Sequence, residues 1–375
     1  MAPAAVVPAA SAAVLAADSR DLLSDSSRPL ASREHRNLDA LLSLQAEGAH
    51  LARLRDELPA DADWRPLLRS HPLTADAARK RLGLLSEETQ DRLAGQGVFP
   101  ILSPDFPEAL AASGVTLPGV FGYGDRAAVE APCVGIVGTR HATPYGRACA
   151  MKFAEAFARA GVTVVSGGAV GIDAAAHEGA LAANGRTIAC LASGIDIVYP
   201  QANAGLFDRI RERGLLLSQF AAGTPSVQRN FLTRNGLIAA LSLGVLVVEA
   251  PQRSGSMNTA GIAGDLGREV FVVPGTIERH GFEGSHALLR DGATFVTHPD
   301  HVLEALGIEP VEETLVPLED GPGAQILAAL SADAIPIETI VERTGLDAGE
   351  VLAEMTMLEL DGRIVRGGGG FALKV

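Results

Sequence analysis

Runs of Val, Ile and Leu without polar alternation recur through the middle of the chain, and each is followed by a glycine-containing loop. They occur in VGIVGTR, VTVVSGGAVGID, LGVLVVEAPQRSGSMNTA and EVFVVPGT, which lie between residues 134 and 276. Such runs are typical of strands buried on both faces of a parallel sheet. Between them, apolar residues recur at helical spacing, as in βαβ units. The pattern predicts a doubly wound α/β fold with a mostly parallel, Rossmann-like sheet.

The same pattern predicts the elements that follow the first strand. Pro144 begins a helix that continues through Ala160 and that Gly161 ends. The predicted strands then cover Val162–Ser166, Thr187–Leu191, Leu215–Phe220, Val245–Glu249 and Val270–Val273. The predicted helices cover Ile172–Asn184, Ala202–Arg213, Arg234–Leu241 and Asn258–Leu266.

The segments on either side of the central one differ from it in their pattern of apolar residues. The whole chain is therefore predicted to have five regions. We expect a disordered tail over 1–35, a small helical domain over 36–120, and the sheet domain over 121–308. An acidic, proline-broken stretch at 309–323 predicts a linker. Residues 324–375 predict a winged helix-turn-helix with three short helices and a two-stranded wing. The third helix, Gly349 to Leu360, carries glutamates and no Lys or Arg, so we expect it to contact protein rather than DNA.

Charge is distributed unevenly along the chain. The formal net charge is −14, which by itself argues against a nucleic-acid partner. Residues 306–375 carry four Lys and Arg against 13 Asp and Glu, whereas residues 130–305 carry 14 against 15. The central segment is therefore nearly neutral, and all but one of its cations are arginine, the residue preferred for phosphate and for stacking on bases.

Cysteine usage and hydropathy give weaker indications of location. The three cysteines, Cys133, Cys149 and Cys190, lie far apart in apolar runs without a C-x-x-C motif. This pattern favours a reducing cytoplasm over disulfides or a zinc cluster. No stretch is apolar for long enough to span a bilayer, so we expect no membrane partner.

Three of the loops combine small residues with phosphate donors. Small residues let backbone N–H groups approach an anion closely, and hydroxyl and guanidinium groups add further donors. In parallel sheets such loops meet at the carboxyl edge, where ligands bind. The predicted phosphate contacts are Gly138-Thr139-Arg140, Ser166-Gly167-Gly168, and Arg253-Ser254-Gly255-Ser256.

A further segment places an aromatic residue beside polar ones. Asn230, Phe231, Arg234 and Asn235 stand between the second and third of these loops. An exposed Phe beside Arg can stack an unpaired base, worth about 1–3 kcal/mol per base. Phe231 would equally suit a core position beneath the loop, and periodicity alone leaves both open.

Several enzymatic signatures are missing from the sequence. There is no G-x-x-x-x-G-K-[ST], no G-x-G-x-x-G after the first strand, no G-x-S-x-G and no H-E-x-x-H, so we expect neither a nucleotide cofactor nor those chemistries. Asp173 and His177 lie four residues apart on one predicted helix face, a spacing that a metal site or an acid/base pair could use. Because no further ligand stands at useful spacing, we interpret them as a helix-capping Asp and a packed His. Glu249 at a strand end is expected to bind neighbouring donors in a structural role.

These motifs, in this order, resemble the DprA/Smf family (DNA-processing protein A). The resemblance is carried by GIVGTRHATPYG, VVSGGAVGIDAAAHEGAL, TIACLASGIDIVYP, NFLTRNGLIAALS, VLVVEA before RSGSMNTA, and GREVFVVPG. It implies a SAM-like helical domain, an extended Rossmann-like domain and a winged helix. It further implies a non-enzymatic, cofactor-free protein that binds single-stranded DNA, protects incoming DNA and loads RecA recombinase during natural transformation. The implied partners also include single-stranded-DNA-binding protein and a second copy, bound through the Rossmann domain.

The resemblance assigns roles to particular residues and also shows departures. Arg140 matches the family's phosphate-binding Arg, and the residues of the second loop, of the F-x-x-R-N element and of the R-S-G-S loop match its other DNA contacts. Val170, Gly236 and Ala287 stand where the family commonly has basic residues. Each lost phosphate contact lowers the salt slope of single-strand binding by about 0.7. We therefore expect weaker or less salt-sensitive DNA binding than the family norm, unless Arg79 to Arg81 compensate.

Two other classes of function match single features of the sequence. A phosphoribohydrolase of the LOG type shares a glycine-threonine loop before a helix, but it needs P-G-G-x-G-T-x-x-E, and this chain has no Glu after Thr259 at that spacing. A structural adaptor built on the acidic winged domain is the third hypothesis. It predicts that oligonucleotide binding does not depend on Arg140.

Overall fold

A computed structural model of the chain describes residues 32–43, 48–59, 62–71, 87–102, 106–113, 115, 117–311, 321–331, 334–360, 363–367 and 369–373. Most of the predicted tail, the basic segment Arg79 to Arg81, and most of the predicted linker lie outside these residues. Two compact units are present, Met1–Ile308 and Glu309–Val375. Within the described part of the chain, no helix combines the length and apolarity that a membrane crossing requires.

The larger unit begins with helices and then forms the sheet. Its elements in chain order are α1 (Arg33–Leu42), α2 (Gly48–Asp56), α3 (Trp64–Ser70), α4 (Glu87–Gly95), β1 (Val98–Leu102), α5 (Glu108–Ala112), β2 (Gly119–Gly124), β3 (Cys133–Val137), α6 (Pro144–Arg159), β4 (Thr163–Ser166), α7 (Ile172–Ala182), β5 (Thr187–Leu191), α8 (Ala204–Arg213), β6 (Leu215–Ser218), α9 (Gln228–Leu241), β7 (Gly244–Val247), α10 (Gly255–Asp265), β8 (Glu269–Val272), α11 (Glu283–Arg290), β9 (Thr294–Phe295) and α12 (Pro299–Ala305).

The nine strands form one sheet in the order β1-β2-β6-β5-β4-β3-β7-β8-β9. Every pair from β6 to β9 is parallel, and β1 and β2 add an antiparallel edge. Side chains of β3 alternate between the two faces, as the pleat requires. Val134 and Ile136 pack under α6 and α7, whereas Cys133 and Val137 pack under α9 and α10. The predicted doubly wound, mostly parallel α/β fold is confirmed.

The predicted domain boundary at residue 120 needs correction, because it falls inside β2. Strand β1 also lies within the segment predicted to be a separate helical domain, and it pairs with β2 in the main sheet. The helices pack on this sheet as well. The His35 ring lies 4.9 Å from the ring of buried Phe121, and Asp39 accepts a hydrogen bond from the Ala222 backbone N–H at 2.8 Å. The described N-terminal helices therefore share one compact unit with the sheet.

Two helices begin earlier than the pattern predicts. Helix α9 starts at Gln228 rather than Arg234, and α10 starts at Gly255 rather than Asn258. In both cases the first turn has a single large apolar residue, Phe231 or Met257, which gives no apolar periodicity to read. Phe231 and the polar residues around it consequently lie on a helix rather than in a loop.

The smaller unit has the predicted winged-helix elements. They are α13 (Pro322–Ala329), α14 (Ile337–Thr344), α15 (Ala348–Leu360), β10 (Ile364–Gly367) and β11 (Gly370–Leu373), with β10 and β11 antiparallel. The three helices bury one face each around a small core that contains Ile326, Ile340, Val351 and Met355. Its third helix exposes Glu350 and Glu359.

His177 gives the fold a pH dependence. Its Nδ1 lies 2.6 Å from the Thr187 hydroxyl, its Nε2 is buried without a described partner, and burial lowers its pKa to about 3. His35 is similarly buried, with a pKa of about 4. The unfolded chain binds these protons near pH 6.5 and the folded chain does not, so stability is full above pH 6.5 and is lost as the pH falls.

We therefore expect the free energy of unfolding to fall below pH 6.5 by about 1.4 kcal/mol per pH unit for each of the two histidines. The H177Q variant should remove its share of that slope in denaturant titrations between pH 6.5 and 4.5. The exposed histidine variant H301Q should keep the wild-type slope. An unchanged slope in H177Q would contradict this assignment.

Candidate nucleic-acid interface

The sheet has a topological switch point between β3 and β7. From β3 the chain proceeds outward through β4, β5 and β6, and it then returns to form β7 on the other side of β3. The loops after these two neighbouring strands leave in opposite directions and open a crevice at the carboxyl edge. A cavity of about 310 Å³ lies there.

The cavity brings together residues that are up to about 120 positions apart in sequence. The predicted site residues that line it are Gly138, Thr139, Arg140, Phe231, Arg234, Asn235, Arg253, Ser254, Gly255 and Ser256. The other predicted site residues, Ser166, Gly167, Gly168 and Asn230, are buried beside it and do not line it. The first residues of the loop after β4 therefore pack beneath the cavity and do not form its surface.

The loop after β3 is held by backbone hydrogen bonds. The Thr139 N–H donates to the Glu249 carbonyl at 2.7 Å, and the Thr139 carbonyl accepts from the Ile172 N–H at 3.2 Å. A side chain at Gly138 would lie 2.9 Å from the same Glu249 carbonyl, so close approach requires glycine there. These contacts join the loops after β3 and β7 to the start of α7. Arg140 projects from this fixed loop into solvent.

Phe231 forms an aromatic platform at the mouth of the cavity. Its ring is half-buried, and the guanidinium carbon of Arg140 lies 4.8 Å from its centroid. The Tyr199 ring packs edge-on at 5.9 Å and is 46% exposed. Phe231 is therefore neither a core residue nor an isolated surface ring. Tyr199 was missed from the sequence because only folding brings the end of the β5 loop beside α9.

Arg234 lies at the buried floor rather than at the surface. Its Nη1 donates to the Cys190 carbonyl at 2.9 Å, and its charge interacts with that of Asp173, which accepts from the Ala169 N–H at 3.4 Å. Burial raises the pKa of Asp173, and the Arg234 charge opposes that rise. A side chain at Gly167 would overlap Nη1 of Arg234. Arg234, Asp173 and Gly167 thus form one internal cluster.

The remaining polar residues are hydrogen-bonded within the fold. Asn235 donates from Nδ2 to the Gly255 carbonyl and to Oδ1 of Asn258, both at 3.1 Å. Ser254 caps α10, accepting from the Met257 N–H at 3.3 Å, and its hydroxyl lies 2.8 Å from that of Ser256. Ser166 donates to the Ile136 carbonyl at 2.6 Å, and Asn230 donates to the Pro225 carbonyl at 3.1 Å.

The carboxylates near the cavity have structural partners. Oε2 of Glu249 accepts from the backbone N–H of Thr143 at 2.9 Å and from its hydroxyl at 2.8 Å, which confirms the predicted structural role. His177 is a packed histidine, as predicted. Asp173 differs from its prediction because its main electrostatic partner is Arg234 rather than a helix terminus.

The cationic donors on the rim are Arg140 and Arg253. Both are exposed, and neither forms an ion pair with a residue in the described part of the chain. The position of Val170 is exposed, and a side chain at Gly236 would meet open space. The fold therefore has room for basic residues at both positions. The rim holds two forked donors, of which Arg140 lies over the Phe231 ring, an arrangement suited to a phosphate and a base.

Comparison with known proteins identifies relatives of both units. Residues 97–307 match the family model of DNA recombination-mediator protein A, and residues 309–370 match the DprA winged helix domain. The first match begins one residue before β1 and therefore includes all nine strands of the sheet. Protein Smf of Escherichia coli K12 is 37% identical over 286 residues, which cover 73% of this chain and 76% of that protein.

Two solved structures share the architecture. The DNA processing protein A of Streptococcus pneumoniae superposes with a TM-score of 0.60 at 28% identity, covering 72% of this chain and 95% of that one. The protein of the same name from Helicobacter pylori, described for its single-stranded DNA binding mode, superposes with a TM-score of 0.52 at 29% identity. That match covers 57% of this chain and 97% of the other.

Proposed function

The chain belongs to the DprA/Smf family, and from this premise we propose that it binds single-stranded DNA at the β3–β7 cavity, protects incoming DNA and loads RecA recombinase onto it during natural transformation. The observation that carries the proposal is the rim: two exposed arginines, without ion-pair partners in the described part of the chain, stand beside the Phe231 platform at the sheet's switch point. Duplex DNA hides its base faces by stacking, whereas a single strand can place a base on such a ring.

Exposed and buried residues of the site have different roles in this proposal. Arg140 and Arg253 contact phosphates, and Phe231, with Tyr199 against its edge, receives a base. Arg234, Asn235, Ser166 and Asn230 position the loops through their internal hydrogen bonds. The chain acts by binding rather than by catalysis, needs no cofactor, and works in the cytoplasm. Its further partners are a second copy, through the sheet domain, and single-stranded-DNA-binding protein.

RecA loading is tested by assembling RecA on single-stranded DNA already coated with single-stranded-DNA-binding protein. We expect the wild-type chain to shorten the lag of RecA-dependent ATP hydrolysis, and the R140A variant to leave the lag as it is without the chain. The lag on bare DNA should stay unchanged by either protein. DNA binding without any change in the lag would restrict the function to protection of the strand.

A further inference from the structure

A second cavity, of about 440 Å³, opens between the start of α6 and the loop after β8. Thr143, Tyr145, Arg279 and Phe282 are among the residues that line it. None of its lining residues belongs to the predicted site. Its chemistry repeats that of the first cavity, with an exposed aromatic ring beside an arginine.

Tyr145 is held rigidly although its ring is 49% exposed. Its hydroxyl donates to the Pro274 carbonyl at 2.9 Å, and its ring lies 6.2 Å from the ring of fully buried Phe282. Burial raises the pKa of Tyr145 to about 12, so the phenol stays neutral. A fixed, neutral ring with one open face meets the requirement for stacking an unpaired base, since little side-chain entropy is lost on binding.

The charges around Tyr145 favour an anion. Arg279 and Arg147 are exposed, and neither forms an ion pair with a residue in the described ranges. Close by in sequence, Glu283 is paired with His280 at 2.6 Å, an interaction that raises the pKa of His280, and Glu278 is exposed. The described residues that line the cavity thus include one arginine and no carboxylate.

The two cavities border the same short loop. Residues 138–141 line the first cavity, and Thr143, Pro144 and Tyr145 line the second. From Arg140 to Thr143 the backbone can extend at most about 11 Å. That distance corresponds to roughly three stacked nucleotides of one strand, at 3.4 Å each. A strand that fills the first cavity thus reaches the second without leaving the carboxyl edge of the sheet.

We propose that the second cavity binds a further nucleotide of the same single strand, with its base on the Tyr145 ring and a phosphate on Arg279. This inference rests on the proposed function of the first cavity. The bound DNA then runs from the β3–β7 crevice past the end of β8. The affinity consequently depends on the length of the oligonucleotide. A buried side chain of a protein partner is the competing occupant, and the experiment below separates the two.

The test uses the full chain and dT oligonucleotides of about 4 to 16 nucleotides, the usual range of single-strand site sizes. The Y145A variant should bind the longer oligonucleotides about 5- to 150-fold more weakly than wild type, the range expected for one lost stacking contact. The shortest oligonucleotide that binds should be unaffected. The Y145F variant, which keeps the ring, should bind all lengths within about twofold of wild type and serves as the matched control.

A photo-cross-linking scan supplies an independent measurement. A single 5-iodouracil is moved along the longer oligonucleotide, and the cross-linked peptides are identified by mass spectrometry. We expect Phe231 and Tyr145 to cross-link at different positions, a few nucleotides apart. Equal affinity of Y145A and wild type at every length, or no cross-link to Tyr145 at any position, would overturn the proposal.

Two outcomes distinguish this inference from the function on which it rests. If R140A loses affinity for every length while Y145A loses none, the first cavity binds DNA and the second does not. If Y145A keeps DNA binding but loses self-association or RecA binding, the second cavity is a protein site and the inference is wrong. If neither variant changes DNA binding at any length, the proposed function fails together with it.

Discussion

The R140A variant is expected to bind a short dT oligonucleotide about 10- to 100-fold more weakly than wild type at low salt. A hydrogen bond to a charged group contributes about 1.5–3 kcal/mol, and Arg140 also holds its guanidinium against the Phe231 ring, 4.8 Å from the centroid. Loss of one phosphate contact should reduce the slope of log K against log salt by about 0.7. Fluorescence anisotropy at several salt concentrations measures both quantities.

Two further variants make this measurement specific. R140K keeps the charge but loses the planar fork, so it should recover part of the affinity and most of the salt slope. R209A removes an exposed arginine on α8 that does not line either cavity, and it should behave as wild type. Wild-type affinity and slope in R140A would show that the loop after β3 does not contact the strand.

The D173N variant is expected to lower the free energy of unfolding by about 1–3 kcal/mol, because it removes the carboxylate that accepts from the Ala169 N–H and whose charge lies near buried Arg234. Arg234 is 5% exposed; burial lowers its pKa, the Asp173 charge opposes that fall, and Nη1 donates to the Cys190 carbonyl. Denaturant titration followed by circular dichroism measures the loss. The cluster also supports the loop of Gly167, so DNA affinity should fall as well.

A double variant distinguishes the loss of stability caused by an uncompensated charge from the loss caused by altered packing. Replacing both partners in D173N/R234M removes the uncompensated charge, and it should restore at least half of the stability that D173N loses. If the losses of D173N and R234M simply add in the double variant, the two side chains do not stabilise each other. The exposed pair of Arg186 and Asp125 is a suitable control, because R186M should change stability by less than about 1 kcal/mol.

The parallel strands could be predicted closely because both of their faces are buried. Continuous apolar runs place β3, β4, β5, β7 and β8 within about two residues of their observed bounds. Strands β1 and β2, at the antiparallel edge of the sheet, could not be predicted from apolar runs. Strand β1 contains Pro100 and β2 contains three glycines, and the pairing of β2 with β6 joins segments about 95 residues apart. The domain boundary was misplaced because such non-local pairing leaves no signal in local periodicity.

The candidate site could be predicted as a set of loops but not as a set of exposed side chains. Glycine, hydroxyl and arginine residues after apolar runs located the loops that form the cavity. They did not show that Arg234 turns inward and Arg140 outward, since that depends on where α9 begins and on how it packs on the sheet. Tyr199 lies outside the recurring pattern, and its ring joins the site only through tertiary packing.

The most direct measurement compares single-stranded with double-stranded DNA of the same length in competition for the β3–β7 cavity. A labelled dT oligonucleotide bound to the wild-type chain is titrated with unlabelled single strand and with unlabelled duplex. Because stacking on Phe231 requires an unpaired base, we expect the single strand to displace the label and the duplex to need at least about a tenfold higher concentration. Displacement by duplex at the same concentration as single strand, or no binding of the labelled strand, would contradict a single-strand site at the switch point of the sheet.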